Sequence, residues 1–170
     1  MAFILFISFI ILLRIGELIL SHSNEIWLLQ QGAIEYGQKH YPYIVALHVF
    51  FLVSLIIEYS TTETGSFSLF FLVLYLLLLT FKAWVIMLLG KFWNTKIYHI
   101  SGFPLIRKGV YRYVKHPNYL VVIAEIAIIP LIFHLYYTAI TFTVLNAIML
   151  SVRIKEENKV LKGQKDMPTD

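Results

Sequence analysis

The sequence predicts an all-α polytopic membrane protein with about five transmembrane helices, the last two of which form a helical hairpin. The first observation is composition: 59% of the 170 residues are hydrophobic and 14% are charged, against roughly 45–50% and 25% in soluble domains. The second is that long apolar runs alternate with short polar segments. The third is that Lys and Arg cluster in two of those segments. A soluble fold of this size cannot bury so much apolar surface, so disordered chains and most soluble enzymes are excluded.

Three apolar runs in the first half of the chain are candidates for membrane spans. A helix that crosses the hydrocarbon layer needs about 20 mostly apolar residues. Charges interrupt the first run at Arg14 and Glu17 and the third run at Lys82, while the second reaches Tyr59 if Glu58 lies at the interface. In order, these runs are Ala2–Leu20, Tyr43–Ile57 and Phe67–Leu89.

The fourth apolar run, Tyr119–Leu150, is too long for one span. Its 32 residues would form a helix of about 48 Å at 1.5 Å per residue. Pro130 interrupts helical hydrogen bonding near the middle, and His134 follows it closely. The sequence therefore predicts a tight hairpin of two slightly short helices, Asn118–Phe133 and Tyr136–Val152, which brings the number of spans to five.

The distribution of charge predicts the orientation of these spans. The segment Lys91–His116 carries six Lys and Arg residues and no acidic residue, and five more follow Leu150. The loop Glu58–Ser66 carries two glutamates and no Lys or Arg. The positive-inside rule then predicts a multi-pass membrane protein with its N-terminus outside and its C-terminus in the cytoplasm. The net charge of +4 marks one membrane face and implies no nucleic-acid partner.

Two polar clusters adjoin the last spans. In the first, residues 109–119, Pro117 suits the first turn of a helix and would place His116 at its entrance. The alternative is an interfacial anchor belt, with Tyr and Arg at headgroup depth and Lys snorkelling. The second cluster, residues 153–159, contains adjacent glutamates that point about 100° apart on a helix. Its alternative interpretation is a solvated helix end with an i,i+4 ion pair between Arg153 and Glu157.

Ionisable residues inside the spans form a third set. Arg14 and Glu17 are three residues apart and can neutralise each other. The long stem of Lys82 allows its amine to reach the interface, or to pair with Glu125 in the fourth run. A structural pair and a functional role for Glu125 are both open. The histidines are scattered without metal-ligand spacing, so no metal site is predicted.

Three segments between Leu89 and Leu161 form a distinctive pattern: Phe-Trp-Asn-Thr-Lys-Ile at 92–97, Gly-Val-Tyr-Arg-Tyr-Val-Lys-His-Pro-Asn-Tyr-Leu at 109–120, and Arg153 followed by Glu156-Glu157. In these segments the chain resembles the C-terminal half of the isoprenylcysteine carboxyl methyltransferase family. The chain resembles short bacterial members more closely than the prenylcysteine enzymes, and some of those short members are similar to enzymes that O-methylate lipophilic alkylpyrones. Two departures are the Lys-His-Pro in place of Arg-His-Pro at 115–117 and the absence of a Phe-Gly-x-x-Tyr-x-x-Tyr segment after the glutamates.

The resemblance implies a membrane methyltransferase that uses S-adenosylmethionine. The methyl acceptor would be a lipophilic acidic hydroxyl or carboxyl compound, alkylpyrone-like or prenylcysteine-like, entering from the bilayer among the membrane lipids. The chain would form one integral membrane domain, with N-terminal spans at 1–90 and a cofactor-binding half at 91–170. Carried over by position, the cofactor-binding residues would be Gly109, Tyr111, His116, Tyr119, Glu156 and Glu157.

Two arginines that flank these residues are candidates for the catalytic step. An anionic acceptor requires no strong base, so Arg112 or Arg153 would orient the anion for in-line methyl transfer. The nearest alternative is a phospholipid N-methyltransferase, in which a carboxylate such as Glu125 would take the proton lost by the amine. More distant alternatives are an NADPH-dependent membrane reductase and a non-enzymatic scaffold whose basic loop binds anionic lipid.

Overall fold

The computed structural model describes residues 1–62, 66–100 and 108–163, with side chains as far as residue 158. Within them, four helices are long and apolar enough to cross a membrane, and one shorter apolar helix lies between the third and the fourth. The predicted all-α membrane fold is confirmed. The helices are α1 Ala2–Gln30, α2 Tyr41–Thr61, α3 Leu69–Leu89, α4 Pro117–Leu131 and α5 Tyr136–Gly163.

The helical hairpin is formed by α4 and α5. Its turn lies where Pro130 and His134 predict it: His134 adopts a φ of 60°, and the Leu135 N–H donates to the Pro130 carbonyl over 3.0 Å. The 15 residues of α4 span about 22 Å, which is less than the ~30 Å hydrocarbon layer. Five complete crossings therefore remain a prediction.

The first helix continues ten residues beyond its predicted end, so the boundary at Leu20 is wrong. Its 29 residues extend about 43 Å, longer than the ~30 Å apolar layer. The added turns carry polar side chains at Ser21, Asn24 and Glu25, of which the first two are buried. These side chains find partners in the segment that follows α3, and so the helix continues where composition alone indicates a loop.

A small antiparallel sheet follows α1, and sequence reasoning did not predict it. Strand β1, Ile34–Tyr36, pairs with β2, Ile97–His99, and Glu35 lies opposite Tyr98. Three residues are too few to show the alternation that identifies a strand. Leu28, Ala33 and Ile100 form the apolar cluster around this sheet.

The chain divides into two compact units. Among described residues, the first comprises 1–42, 89–100 and 151–163, and the second comprises 43–62, 66–88 and 108–150. Some residues of the charged segments that predict the orientation lie outside the described residues. They are residues 63–65, 101–107 and 164–170, and they include Arg107 and Lys165. The partition into N-terminal spans and a cofactor-binding half remains a prediction.

Candidate functional site

The His-Pro-Asn-Tyr segment opens α4 as the sequence predicts. His116 is the N-cap and Pro117 occupies the first turn, where its missing N–H costs nothing. The Tyr119 N–H donates to the His116 carbonyl over 3.2 Å. The two rings stack, with centroids 5.2 Å apart and planes inclined by 17°. The helix start thus brings two of the predicted cofactor-binding residues into contact with each other.

A 3-10 turn, Gly109–Arg112, precedes this segment in the chain. Gly109 has a φ of +54°, and a Cβ there would lie 2.7 Å from a Leu88 methyl group, so the position requires glycine. Tyr111 donates its N–H to the Lys108 carbonyl over 3.1 Å. The exposed guanidinium of Arg112 lies 5.9 Å from the centroid of the Tyr113 ring.

In the first unit, Arg153 is held by backbone. Its side chain is buried, and its Nη2 donates to the Thr95 carbonyl oxygen. Glu156 and Glu157 follow it on α5, and both are half-buried. On a helix these positions are i+3 and i+4 from Arg153, so all three residues lie on neighbouring parts of one face.

The position of Thr95 is fixed by α1. Ser21 Oγ accepts the Thr95 N–H over 3.0 Å and lies 2.8 Å from Thr95 Oγ1. Asn94 Nδ2 donates to the Ser21 carbonyl over 2.8 Å, and Asn24 Nδ2 donates to the Trp93 carbonyl over 2.7 Å. We call Ser21, Asn24 and residues 93–95 the Arg153 platform, because they fix the carbonyl that binds the guanidinium.

An acidic and basic network adjoins this platform. Lys96 Nζ lies 2.7 Å from Glu25 Oε1 and 3.8 Å from Glu35 Oε2, and the Tyr98 hydroxyl donates to both carboxylates. The hydrogen bond to Glu25 raises the pKa of Lys96. Burial, with the bonds to both carboxylates, raises the pKa of Tyr98. Burial lowers the pKa of His99 at the end of β2.

Sequence reasoning missed the residues of α1 that carry these contacts. The signal that identifies them is spacing: Ser21, Asn24 and Glu25 stand at i, i+3 and i+4, so they lie on one face of a continuing helix.

Two ion pairs that the sequence predicts within the apolar runs are present. Lys82 Nζ lies 3.1 Å and 3.0 Å from the two carboxylate oxygens of Glu125, and both residues are buried. Of the two alternatives that the sequence leaves open for Lys82, the structure shows the pair with Glu125, and the amine does not reach the interface. Arg14 and Glu17 form the other predicted pair, with 2.9 Å between Nη1 and Oε2.

The candidate residues fall into two groups that the structure describes separately. Gly109, Tyr111, Arg112, His116 and Tyr119 belong to the second unit, and Arg153, Glu156 and Glu157 belong to the first. His116 and Tyr119 are in contact. That both groups bind one cofactor remains a prediction.

Comparison with known proteins bears on the same residues. Residues 69–163 match the sequence model of the isoprenylcysteine carboxyl methyltransferase (ICMT) family, a range that includes every candidate residue. The uncharacterized protein YpbQ of Bacillus subtilis is 41% identical over 162 residues, covering 94% of this chain and 96% of that protein. An uncharacterized protein of Haemophilus influenzae is 30% identical over 158 residues, covering 89% and 90%. No solved structure matches the chain significantly. With more than half of its length matched, the chain belongs to the isoprenylcysteine carboxyl methyltransferase family of membrane methyltransferases.

Proposed function

We propose that this protein uses S-adenosylmethionine to O-methylate a lipophilic acceptor that bears an acidic hydroxyl or a carboxyl group. The family match over residues 69–163 carries the proposal, because it covers both groups of candidate residues. When bound, S-adenosylmethionine supplies an electrophilic methyl group on a cationic sulfonium.

The residue types present fit the groups that this cofactor exposes. The half-buried carboxylates of Glu156 and Glu157 suit its ammonium and its ribose hydroxyls. The stacked rings of His116 and Tyr119 suit a flat adenine or a cation, since aromatic faces attract both. Gly109 and Tyr111 precede them in the same matched segment and complete the proposed set.

The pairing of Glu125 favours an oxygen acceptor over an amine. A phospholipid amine must lose a proton, and Glu125 is the carboxylate that an N-methyltransferase would use for this. Both of its oxygens are already bound to the Lys82 ammonium inside the protein, so neither is free to take a proton from an amine. An acidic hydroxyl or a carboxylate is already anionic and requires no such base. In the proposal, Arg112 and Arg153 orient this anion.

The proposed location is the bacterial cell membrane, with the C-terminus in the cytoplasm. Four apolar helices of spanning length and the family both support an integral membrane protein, and relatives occur in two bacteria. A lipophilic acceptor would enter from the bilayer. Reporter fusions test the orientation: a C-terminal fluorescent protein should fold and a C-terminal alkaline phosphatase should be inactive, and the reverse would refute it.

Calorimetry of the detergent-purified protein with S-adenosylhomocysteine tests the cofactor. We expect saturable binding that His116→Ala and Glu157→Ala each weaken at least tenfold. His134→Ala is the matched control, because this histidine lies in the turn at the opposite end of α4 and its loss should leave affinity within twofold. Binding of NADPH instead would favour the reductase, and binding of neither would favour the scaffold.

Methyl transfer from labelled cofactor tests the acceptor. A long-chain hydroxypyrone and a prenylcysteine carboxylate should accept label, whereas phosphatidylethanolamine should not. Arg112→Met and Arg153→Met should lower turnover far more than they weaken S-adenosylhomocysteine binding. Unchanged turnover in both variants would contradict the role assigned to the arginines, and labelled phosphatidylethanolamine would favour N-methylation.

A further inference from the structure

Helices α2 and α5 pack against each other along a line of paired side chains, here called the α2–α5 seam. At one end, the Glu58 carboxylate accepts the N–H groups of Tyr137 and Thr138 over 3.1 Å and 2.7 Å. About one turn further along α2, Ser54 Oγ lies 2.8 Å from the Thr138 hydroxyl. The polar groups at this end of the seam are therefore bound within the protein.

The seam continues with aromatic packing. The rings of Phe51 and Phe142 lie 5.5 Å apart in an edge-on arrangement. Since residue numbers fall along α2 as they rise along α5, the two helices are antiparallel here. The next residue of α5 on the same face is Asn146, at i+4 from Phe142 and i+8 from Thr138.

Asn146 breaks the pattern of paired groups. Its side chain is 2% exposed, and within the residues that the structure describes its Nδ2 has no hydrogen-bond partner. Asn146 lies ten residues into α5, which is about 15 Å along the helix. If α5 starts at one face of the ~30 Å hydrocarbon layer, Asn146 lies near the middle of that layer, where water is scarce. A buried amide donor in such a place costs free energy unless a ligand or another group accepts from it.

A second amide of the hairpin also has a buried polar atom whose partner is not found among the described residues. Asn118 Oδ1, also buried, has no hydrogen-bond partner among the described residues. Asn118 lies 13 residues before the end of α4, which places it about 20 Å from the hairpin turn along the helix. The corresponding distance for Asn146 along α5 is about 15 Å. It stands between Pro117 and Tyr119, inside the proposed cofactor-binding segment. Two amides, each with one buried atom that has no partner among the described residues, therefore occur on the two helices of one hairpin.

We propose that Asn146 binds the polar head of the lipophilic methyl acceptor, with Nδ2 donating a hydrogen bond to an oxygen atom of that head. This inference rests on the proposed function and narrows its substrate class. The acceptor carries a carbonyl, enolate or carboxylate oxygen as well as a long apolar chain, because an amide donor in a dry site selects an oxygen acceptor over an ammonium group.

The test is Asn146→Leu, which keeps the approximate size of the side chain and removes the amide. The probes are the long-chain hydroxypyrone and the prenylcysteine carboxylate. We expect KM for the better probe to rise at least tenfold, with the S-adenosylhomocysteine Kd within twofold of the wild-type value. The Tm without acceptor should be unchanged or higher, because no internal hydrogen bond of Nδ2 is lost, and the rise of Tm on adding the probe should shrink.

Thr138→Val is the matched control, since it also replaces a buried polar residue of the α2–α5 seam by an apolar one. Its hydroxyl is bound to Ser54, so its loss should lower Tm and leave KM within twofold. Asn146→Ala provides the same readout if leucine is too bulky to fold. An unchanged KM in the folded Asn146 variants, with S-adenosylhomocysteine binding intact, would overturn this inference alone. Absence of S-adenosylhomocysteine binding to the wild-type protein would overturn the proposed function as well.

Discussion

The Lys82–Glu125 ion pair should be a structural pair, in which each buried charge depends on the other, with no part in the methyl transfer itself. It joins α3 to α4 across 43 residues of sequence, with Nζ 3.0 Å and 3.1 Å from the carboxylate oxygens. At 3.0 Å and an effective dielectric constant of about 20, the Coulomb attraction is about 5.5 kcal/mol. Desolvation of two buried charges offsets much of it, but removing one partner leaves the other charge buried and uncompensated.

The perturbation is therefore a double-mutant cycle. Glu125→Gln and Lys82→Met should each lower the free energy of unfolding by about 3–5 kcal/mol. The double variant should lose clearly less than the sum of the two, because neither charge is then left buried without its partner. The assay is reversible unfolding in mild detergent titrated with dodecyl sulfate, followed by circular dichroism. Single variants that cost less than about 1 kcal/mol, or a double variant equal to their sum, would refute the structural coupling. A stable double variant with normal S-adenosylhomocysteine binding and no turnover would instead assign the pair to the chemistry.

Three further predictions concern single positions. Glu58→Ala removes the carboxylate that caps the N-terminus of α5. The free energy of unfolding, measured in the same assay, should fall by about 0.5–2 kcal/mol. No change would show that the cap is dispensable. Burial lowers the pKa of His99 below its ordinary 6.5, so the unfolded state binds more protons than the folded state as the pH falls through that range. The Tm should therefore fall between pH 7.5 and 5.5, and less steeply in His99→Gln than in the wild type. Parallel curves of Tm against pH for the two proteins would contradict this. In Gly109→Ala the alanine must adopt a φ of +54° against Leu88, which should lower the free energy of unfolding by about 1–2 kcal/mol. Gly16 lies on α1 with open space around it, so Gly16→Ala should not lower the free energy of unfolding. Equal effects of the two substitutions would contradict the special role of Gly109.

The helices were predictable because span length is a local property of sequence. Apolar runs located α2 and α3 within two residues at their N-terminal ends, and Pro130 with His134 located the hairpin turn. The continuation of α1 was not predicted, since Ser21 resembles a loop residue until its partner Thr95 is known.

The candidate site likewise has one part that the sequence predicts and another that it does not. The His-Pro-Asn-Tyr segment was recognisable because its residues are contiguous, and a proline after an N-cap determines the helix start locally. The contact that holds Arg153 depends on a carbonyl 58 residues away, which no pattern of side chains encodes. The partner of Lys82 likewise remained one of two alternatives, because the interface and Glu125 were both within reach of its stem.

In a chain with so few polar groups inside its helices, the presence of a buried charge alone does not identify a functional site. Lys82 has Glu125 and Arg14 has Glu17, and a paired charge is satisfied whether or not a substrate binds. A buried donor whose partner is not found among the described residues is more informative, because its burial costs free energy that folding does not recover. By this criterion Asn146 is a stronger candidate for contact with the acceptor than either intramembrane ion pair. Neither composition nor sequence motifs identify it, because it is uncharged and lies outside the matched motifs.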